Sequence, residues 1–581
     1  MRLCGSVPES GSAPQLHLDL TEPHYHLVRA SLRFQPRTPS LLLRLPAWTP
    51  GSYLIRDYVR TLEGLSAQQR GLSLPLERLE PACWSLQCSP EDPVVLQWRI
   101  LATELSVRTC HLSGDHGFLA LAGVVLQVEG ERWSPYQLTL ALPEGWQPFL
   151  SLPQEGSGWL ASHFDQLIDT PIEAGPHPSA GFNVAGIDHR WVGWGGDLPS
   201  QDPAWLPDVE RICLACCRLM GVERPASSAY LFVLHLLEKG YGGLEHDDAS
   251  VLQYGRTALR EPQGRRKLLQ LVAHEYLHQW NVRRLRPAEL TPIDYDRATV
   301  VPTLWFAEGI TSYYDQLLPL AAGIGSEAEL LKDLGADLSR YRLTPGRSIQ
   351  SLRQSSEEAW VKLYRPDPHS ADCQISYYLK GAVIALVLDL HLRRHQSALA
   401  AVLQDLWRSH GAVGRGYQEA DLVAAFAHHA PDLSTLLPFW LHSEQDPDLD
   451  TYLADVGLRL VAELSSTPHA GWSLDASTTL TRVPRGGPAE AAGLQVGDEL
   501  LALDQDRLRT ADGARALLEG LQPGEDGQWP ELPLLFCREG RVRQSRFRPD
   551  PPAVERWRLE LDPGAPADAL ERRRTWLSLL P

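Results

Sequence analysis

The sequence predicts a multidomain α+β protein, and three observations carry that reading. Its 581 residues exceed what one hydrophobic core organises, so roughly two to four domains are expected. Residues 1–190 show short alternating apolar runs such as HLVRASLRF (26–34), LLLRLPAW (41–48) and YQLTLALP (136–143), broken by Pro-, Gly- and Asp-rich turns. Alternation of that kind buries one face of each strand, so an N-terminal β domain is expected. From about residue 200 the period changes, with PDVERICLACCRLMG, RRKLLQLVAHEYLHQW and EADLVAAFAHHA carrying apolar residues at helical spacing. One strand, AYLFVLHLLE (229–238), precedes the histidine-bearing helix, so 191–464 reads as a mainly helical domain with a small sheet. A third unit over 465–550 mixes strands, short helices and glycine turns at Gly493 and Gly497–Asp498. The Pro-rich tail 551–581 ends in the amphipathic stretch ERRRTWLSLL, expected to form a short docked helix.

Composition narrows the function classes. A net charge of −18 repels nucleic acid and anionic membrane alike, so neither is an expected partner. MRLCGSVPESGSAPQ lacks the apolar core of a secretory signal, and the longest apolar run, GAVIALVL (381–388), stops at Asp389, short of a membrane span. Nine cysteines without regular spacing read as free thiols in a reducing compartment, so a cytoplasmic location is expected. Their one cluster, CLACC (213–217), reads as a buried, inert helix face.

The chemistry starts at LVAHEYLHQW (271–280). A helix turns 100° per residue, so His274 and His278 share a face and their imidazoles can hold one ion. Glu275, one step round, can reach a water held there. HLRRH repeats the spacing at His391 and His395, but has no adjacent acid and places two arginines between, so these read as surface helix residues. A catalytic zinc takes three protein ligands and leaves one position open. LWFAEGITSYYDQ (304–316) offers Glu308, a carboxylate in an apolar helical setting that is costly to bury unless paired or metal-bound. GYGGLEH follows the apolar strand directly, and Gly242–Gly243 would let an extended peptide pair with an edge strand that ends at Glu245.

HEYLHQW followed by WFAEGITSYY resembles the gluzincin metallopeptidases, in which two histidines and a downstream glutamate hold zinc. LPAWTPGSYLIRDYVR (45–60), YGGLEH (241–246), HEYLHQWNVRRLRP (274–287) and SYYLKGAVIALVLDLHLR (376–393) resemble the glycyl aminopeptidase branch. RVPRGGPAEAAGLQVGDELLALD (482–504) resembles a PDZ domain. The resemblance implies a thermolysin-like catalytic domain with one Zn2+ on His274, His278 and Glu308. It implies Glu275 as general base and Tyr378, in a Tyr-x-Lys-Gly setting, as the oxyanion's hydrogen-bond donor, with Tyr377 its rival. Glu245 would hold the substrate's free α-amino group, so the implied activity is removal of N-terminal residues, small ones such as Gly and Ala preferred. His246, Asp247 and Asp248 read equally as site residues or turn polars. The long His278-to-Glu308 gap and GGLEH in place of Gly-Ala-Met-Glu-Asn leave the seat of the amino group open. Expected partners are peptides with a free N-terminus and a C-terminal peptide on the PDZ domain. Two other classes stay in view: an endopeptidase guided by the PDZ domain, and a scaffold with a silent peptidase domain.

Overall fold

The computed structural model describes residues 13–579. The chain separates into two compact units: 1–301 with 317–325 and 402–418, and 302–316 with 326–401 and 419–581. The architecture is multidomain α+β, with a β-rich N-terminal part, a helical centre and further strands towards the C-terminus.

In the first unit, an eight-stranded sheet and two four-stranded sheets build the N-terminal part. Strand Leu27–Phe34 shows the alternation seen in the sequence: Val28, Ala30, Leu32 and Phe34 face inward and are 4% exposed or less. A five-stranded mixed sheet follows, in the order Ser179–Val184, Ile187–Trp194, Ala229–Leu237, Ala249–Gly255, Tyr241–Glu245. The single strand expected near 229 is thus the centre of a sheet whose first two strands lie largely within the stretch read as N-terminal. Ala229–Leu237 is parallel to both neighbours and buried over nearly its whole length. Burial on both faces erases the alternation that would reveal its partners. Helix Gly264–Leu277 lies on this sheet, where the Tyr276 ring meets Tyr230 edge-on at 4.9 Å and its hydroxyl pairs with His189 Nε2 at 2.9 Å. Cys213, Cys216 and Cys217 are buried on the neighbouring helix Trp205–Leu219, and burial pushes the Cys217 thiol up to about 12, an inert face as expected.

In the second unit, helix Tyr377–Arg394 is buried almost all round. Its Asp389 ends no membrane span: the carboxylate accepts from the Tyr313 hydroxyl at 2.7 Å and from the Leu399 amide at 3.0 Å. Among the described residues no helix is long and apolar enough to cross a membrane. The C-terminal part has strand Leu480–Arg482, helix Pro488–Ala491, strand Glu499–Leu503, helix Ala511–Glu519 and the hairpin Leu532–Arg538/Arg541–Phe547 around one apolar core. The tail adds a strand unseen in the sequence, Val554–Leu561, paired with Leu458–Leu464, then helix Ala567–Leu577. Trp576 is fully buried there and its indole N–H donates to Tyr313 at 2.7 Å. Burying an indole contributes on the order of 4–6 kcal/mol by area, which keeps this helix docked.

Candidate active site

Tyr241–Glu245 is the edge strand of the five-stranded sheet, antiparallel to Ala249–Gly255. Residues two apart on a strand share a face, so Gly243 and Glu245 point the same way. Gly243 faces Glu275: a Cβ at position 243 would lie 2.2 Å from Glu275 Oε1. The glycine therefore makes the space in which the Glu275 side chain sits. Glu245 is 3% exposed, and its Oε1 has no hydrogen-bond partner among the described residues. Glu245, Glu275 and His278 offer ligand atoms within 4.8 Å of one another. Two carboxylates so close and so buried call for a cation.

His274 and His278 close the helix Gly264–Leu277, with ring centroids 4.7 Å apart. His278 Nδ1 donates to the carbonyl oxygen of Asn281 at 2.7 Å. That bond fixes the tautomer in which Nε2 carries the lone pair, the form that can ligate a metal. Glu308 is 1% exposed and stands in the π-helical turn Trp305–Gly309, a distortion frequent at functional sites. His274 and His278 in the first unit, and Glu308 in the second, are candidate metal ligands. Two imidazoles and a carboxylate make a donor set that fits zinc.

Within the second unit, Gly309 and Gly381 cross so closely that a Cβ on Gly309 would lie 2.5 Å from the Gly381 Cα. The crossing brings Glu308 and Tyr378 into electrostatic contact. Ser376 caps the helix, accepting from the Tyr378 and Leu379 amides, so Tyr378 projects from its first turn. Burial and then the Glu308 carboxylate hold the Tyr378 phenol well above the usual range, which keeps it a proton donor. Its rival Tyr377 is fully buried. Lys380 of the same motif is also buried, its ammonium donating to the carbonyls of Arg347 and Gln350 at 3.1 and 3.3 Å. Tyr364, which sequence reasoning did not single out, pairs its hydroxyl with that of Tyr378 at 3.1 Å; no local spacing announces it.

The turn after Glu245 is held by charge. His246 Nδ1 lies 3.2 Å from Asp169, Asp247 pairs with Arg283 at 2.8 Å, and Asp248 with Arg284 at 3.1 Å. Burial raises the Asp247 carboxyl, but Arg283, Arg286 and Arg284 outweigh it and hold it at about 2. These three residues fasten the strand end that carries Glu245.

Two further groups could in principle hold a cation. His391 corrects the surface reading: it is 3% exposed, with Nδ1 2.9 Å from the Tyr452 hydroxyl and Nε2 3.1 Å from Asp432. The helix Tyr377–Arg394 is buried on most sides, so a polar residue near its end lies inside; only His395 stays partly exposed. The fully buried Glu173 accepts from His116, His177 and His235 at 3.0, 2.7 and 2.8 Å. Three N–H donors at ordinary hydrogen-bond distance satisfy the carboxylate and hold it well below the usual range despite burial. This group fastens strand Pro171–Gly175 to strand Ala229–Leu237.

Residues 267–384 match the M61 glycyl aminopeptidase family model, and 15–176 match that of the peptidase M61 N-terminal domain. No curated protein matches. An aminopeptidase N family protein from Idiomarina loihiensis is similar at 28% identity and TM-score 0.90, over 97% of this chain and 100% of that one. An M1 zinc metallopeptidase from Deinococcus radiodurans shares 15% identity at TM-score 0.47, over 75% of this chain and 95% of that one. Legionella pneumophila aminopeptidase A shares 14% at 0.47, over 80% and 51%. The last two likenesses are too distant to bear on activity. The chain thus matches the M61 N-terminal and M61 glycyl aminopeptidase models over 15–176 and 267–384, and over nearly its whole length it is similar in fold to an aminopeptidase N family protein.

Proposed function

We propose that the protein is a zinc aminopeptidase releasing single N-terminal residues, small ones such as Gly and Ala preferred, from peptides. The observation that carries this reading is the buried group Glu245, Glu275 and His278 at the end of the helix that bears His274, with Glu308 proposed as the third ligand. When bound to His274, His278 and Glu308, zinc supplies Lewis-acid polarisation of the scissile carbonyl and brings a water's pKa towards neutrality. Glu275, adjacent to a ligand without being one, takes the proton of the attacking water and returns it to the leaving amine. Tyr378 donates a hydrogen bond to the oxyanion, charge that exists mainly in the transition state. Glu245 accepts the substrate's α-ammonium, which satisfies its orphaned oxygen and separates the two carboxylates. The Gly242–Gly243 edge pairs with the extended substrate through main-chain hydrogen bonds.

The wider reading is a thermolysin-like catalytic domain followed by a PDZ domain at 465–550. A groove of about 260 Å³ lined by Gly471, Trp472, Leu474, Ala514 and Leu518 suits a C-terminal peptide there. The described cysteines are all unbridged, in keeping with a cytoplasmic setting.

The test is one peptide beginning with Gly or Ala, assayed with a free and with an acetylated N-terminus. Loss of cleavage on acetylation supports the aminopeptidase; undiminished cleavage removes the anchor role of Glu245 and returns the endopeptidase.

A further inference from the structure

The N-terminal part of the chain contributes a turn to Glu245. The segment after strand Ser40–Arg44 leaves the sheet as a closed loop: the Ala47 amide donates to the Tyr295 carbonyl at 2.8 Å, and the Arg56 amide to the Ala47 carbonyl at 2.8 Å. Trp48 is fully buried and its indole N–H donates to the Asp294 carbonyl at 2.8 Å. At the tip, the Ser52 amide donates to the Thr49 carbonyl at 3.2 Å, and Gly51 has φ +81°. Pro at the second and Gly at the third position of such a turn is the type II pattern, in which the third residue needs positive φ.

Turn tips ordinarily lie in solvent. Here only Pro50 is half-exposed: Thr49 is 4% and Ser52 0% exposed, and Gly51 is buried. A Cβ at Gly51 would lie 2.5 and 2.6 Å from the two carboxylate oxygens of Glu245 and 2.6 Å from Leu244 Cδ1. Glu245 is thus backed by the turn, while Glu275 and His278 stand within 4.8 Å of it. Its Oε1 remains without a partner, although burying a carboxylate oxygen unsatisfied costs free energy.

We propose that the Thr49–Ser52 turn is the amino-end stop of the substrate site, and that Gly51 sets its specificity for an unsubstituted amine. The inference rests on the reading of Glu245 as the ammonium anchor. An ammonium between Glu245 and the reacting centre can offer the orphaned oxygen an N–H. A residue preceding that amine would have to pass Glu245 on the side the turn occupies. Only glycine at 51 lets the backbone lie against the carboxylate and hold it in place, so Gly51 acts as a positioning residue.

The experiment compares wild type, Glu245→Gln, Gly51→Ala and Pro50→Gly on one Ala-initiated peptide, free and acetylated, with zinc content and melting temperature measured in parallel. Gly51→Ala is expected to raise KM for the free peptide about tenfold or more, the scale of a misaligned charged hydrogen bond. kcat should stay within about threefold, zinc content should be unchanged, and the preference for free over acetylated peptide should fall with the rise in KM. If Gly51→Ala proves insoluble, Pro50→Gly, which keeps Gly51 and loosens the turn, is expected to move KM and preference the same way. Loss of preference in Glu245→Gln with KM and preference unmoved in the soluble turn variants overturns the stop and leaves the anchor standing. An unchanged preference in Glu245→Gln overturns both.

Discussion

Gly243→Ala is the sharpest test of how the proposed general base, Glu275, is held. The substitution is isolated: Gly243 has no positive φ, so its backbone tolerates alanine, and the added methyl meets Glu275 Oε1 at 2.2 Å, Cδ at 2.3 Å and Cγ at 2.6 Å. Ordinary contact begins near 3.4 Å, so the carboxylate must retreat by roughly 1.2 Å. A misplacement of about 1 Å can cost 10²-fold, and a general base contributes about 10²–10⁴-fold in all. We expect kcat to fall about 10²–10³-fold, or roughly 2.7–4 kcal/mol in the barrier. The assay is steady-state hydrolysis of an alanine anilide with zinc content measured on the same preparation. Zinc should remain at the wild-type level, since the three atoms nearest the methyl all belong to Glu275, which is not a proposed ligand. In the cycle with Glu275→Gln, the double variant should be no slower than Glu275→Gln alone, because the methyl acts only through the residue already disabled. A kcat within about threefold of wild type, or additive losses in the cycle, would refute the reasoning.

Tyr378→Phe should lower kcat about 10²–10³-fold with little change in KM, the loss typical of one oxyanion donor. Burial holds the wild-type phenol above its usual range, so it should stay protonated through neutral pH. A rise in KM alone would assign the tyrosine to ground-state binding. Glu308→Ala should leave the purified protein short of zinc by elemental analysis, and full occupancy would exclude it as a ligand. Glu173→Gln places an amide N–H where imidazole N–H groups now point, and should destabilise the protein by about 2–4 kcal/mol in urea unfolding. An unchanged midpoint would mean that the three histidines do not hold the carboxylate.

What could be read from the sequence follows from how far apart in the chain the interacting residues lie. His274, Glu275 and His278 announce themselves because helical geometry converts a spacing of four into one face. Glu308 could be suspected as a lone acid among apolar residues, but its π-helical turn and the Gly309–Gly381 crossing that sets Tyr378 beside it are tertiary facts. The Thr49–Ser52 turn is legible as a turn from Pro50–Gly51, while its contact with Glu245 joins residues nearly two hundred apart in the chain. The Glu173 group leaves no local trace, since its histidines come from residues 116, 177 and 235. His391 was misjudged for a related reason: a helix wrapped on most sides offers no polar face for its histidine to mark.

In the proposed mechanism, the separation of the two carboxylates decides how many residues leave at a time. An ammonium nitrogen bound at Glu245 stands about 2.8 Å from that carboxylate, and the first carbonyl carbon lies about 2.5 Å beyond the nitrogen. The second carbonyl lies one residue further, about 3.3–3.6 Å along an extended chain. Glu245 and Glu275 approach within 4.8 Å, a span that sets the first carbonyl beside the base and leaves the second out of reach. Release of dipeptides would need the anchor set back by about one residue's rise, and the Gly51 backbone already lies against the Glu245 carboxylate. Digestion of a Gly-Ala-Phe peptide should therefore yield free glycine first, seen by chromatography of early time points. Gly-Ala as the initial product would place the anchor elsewhere.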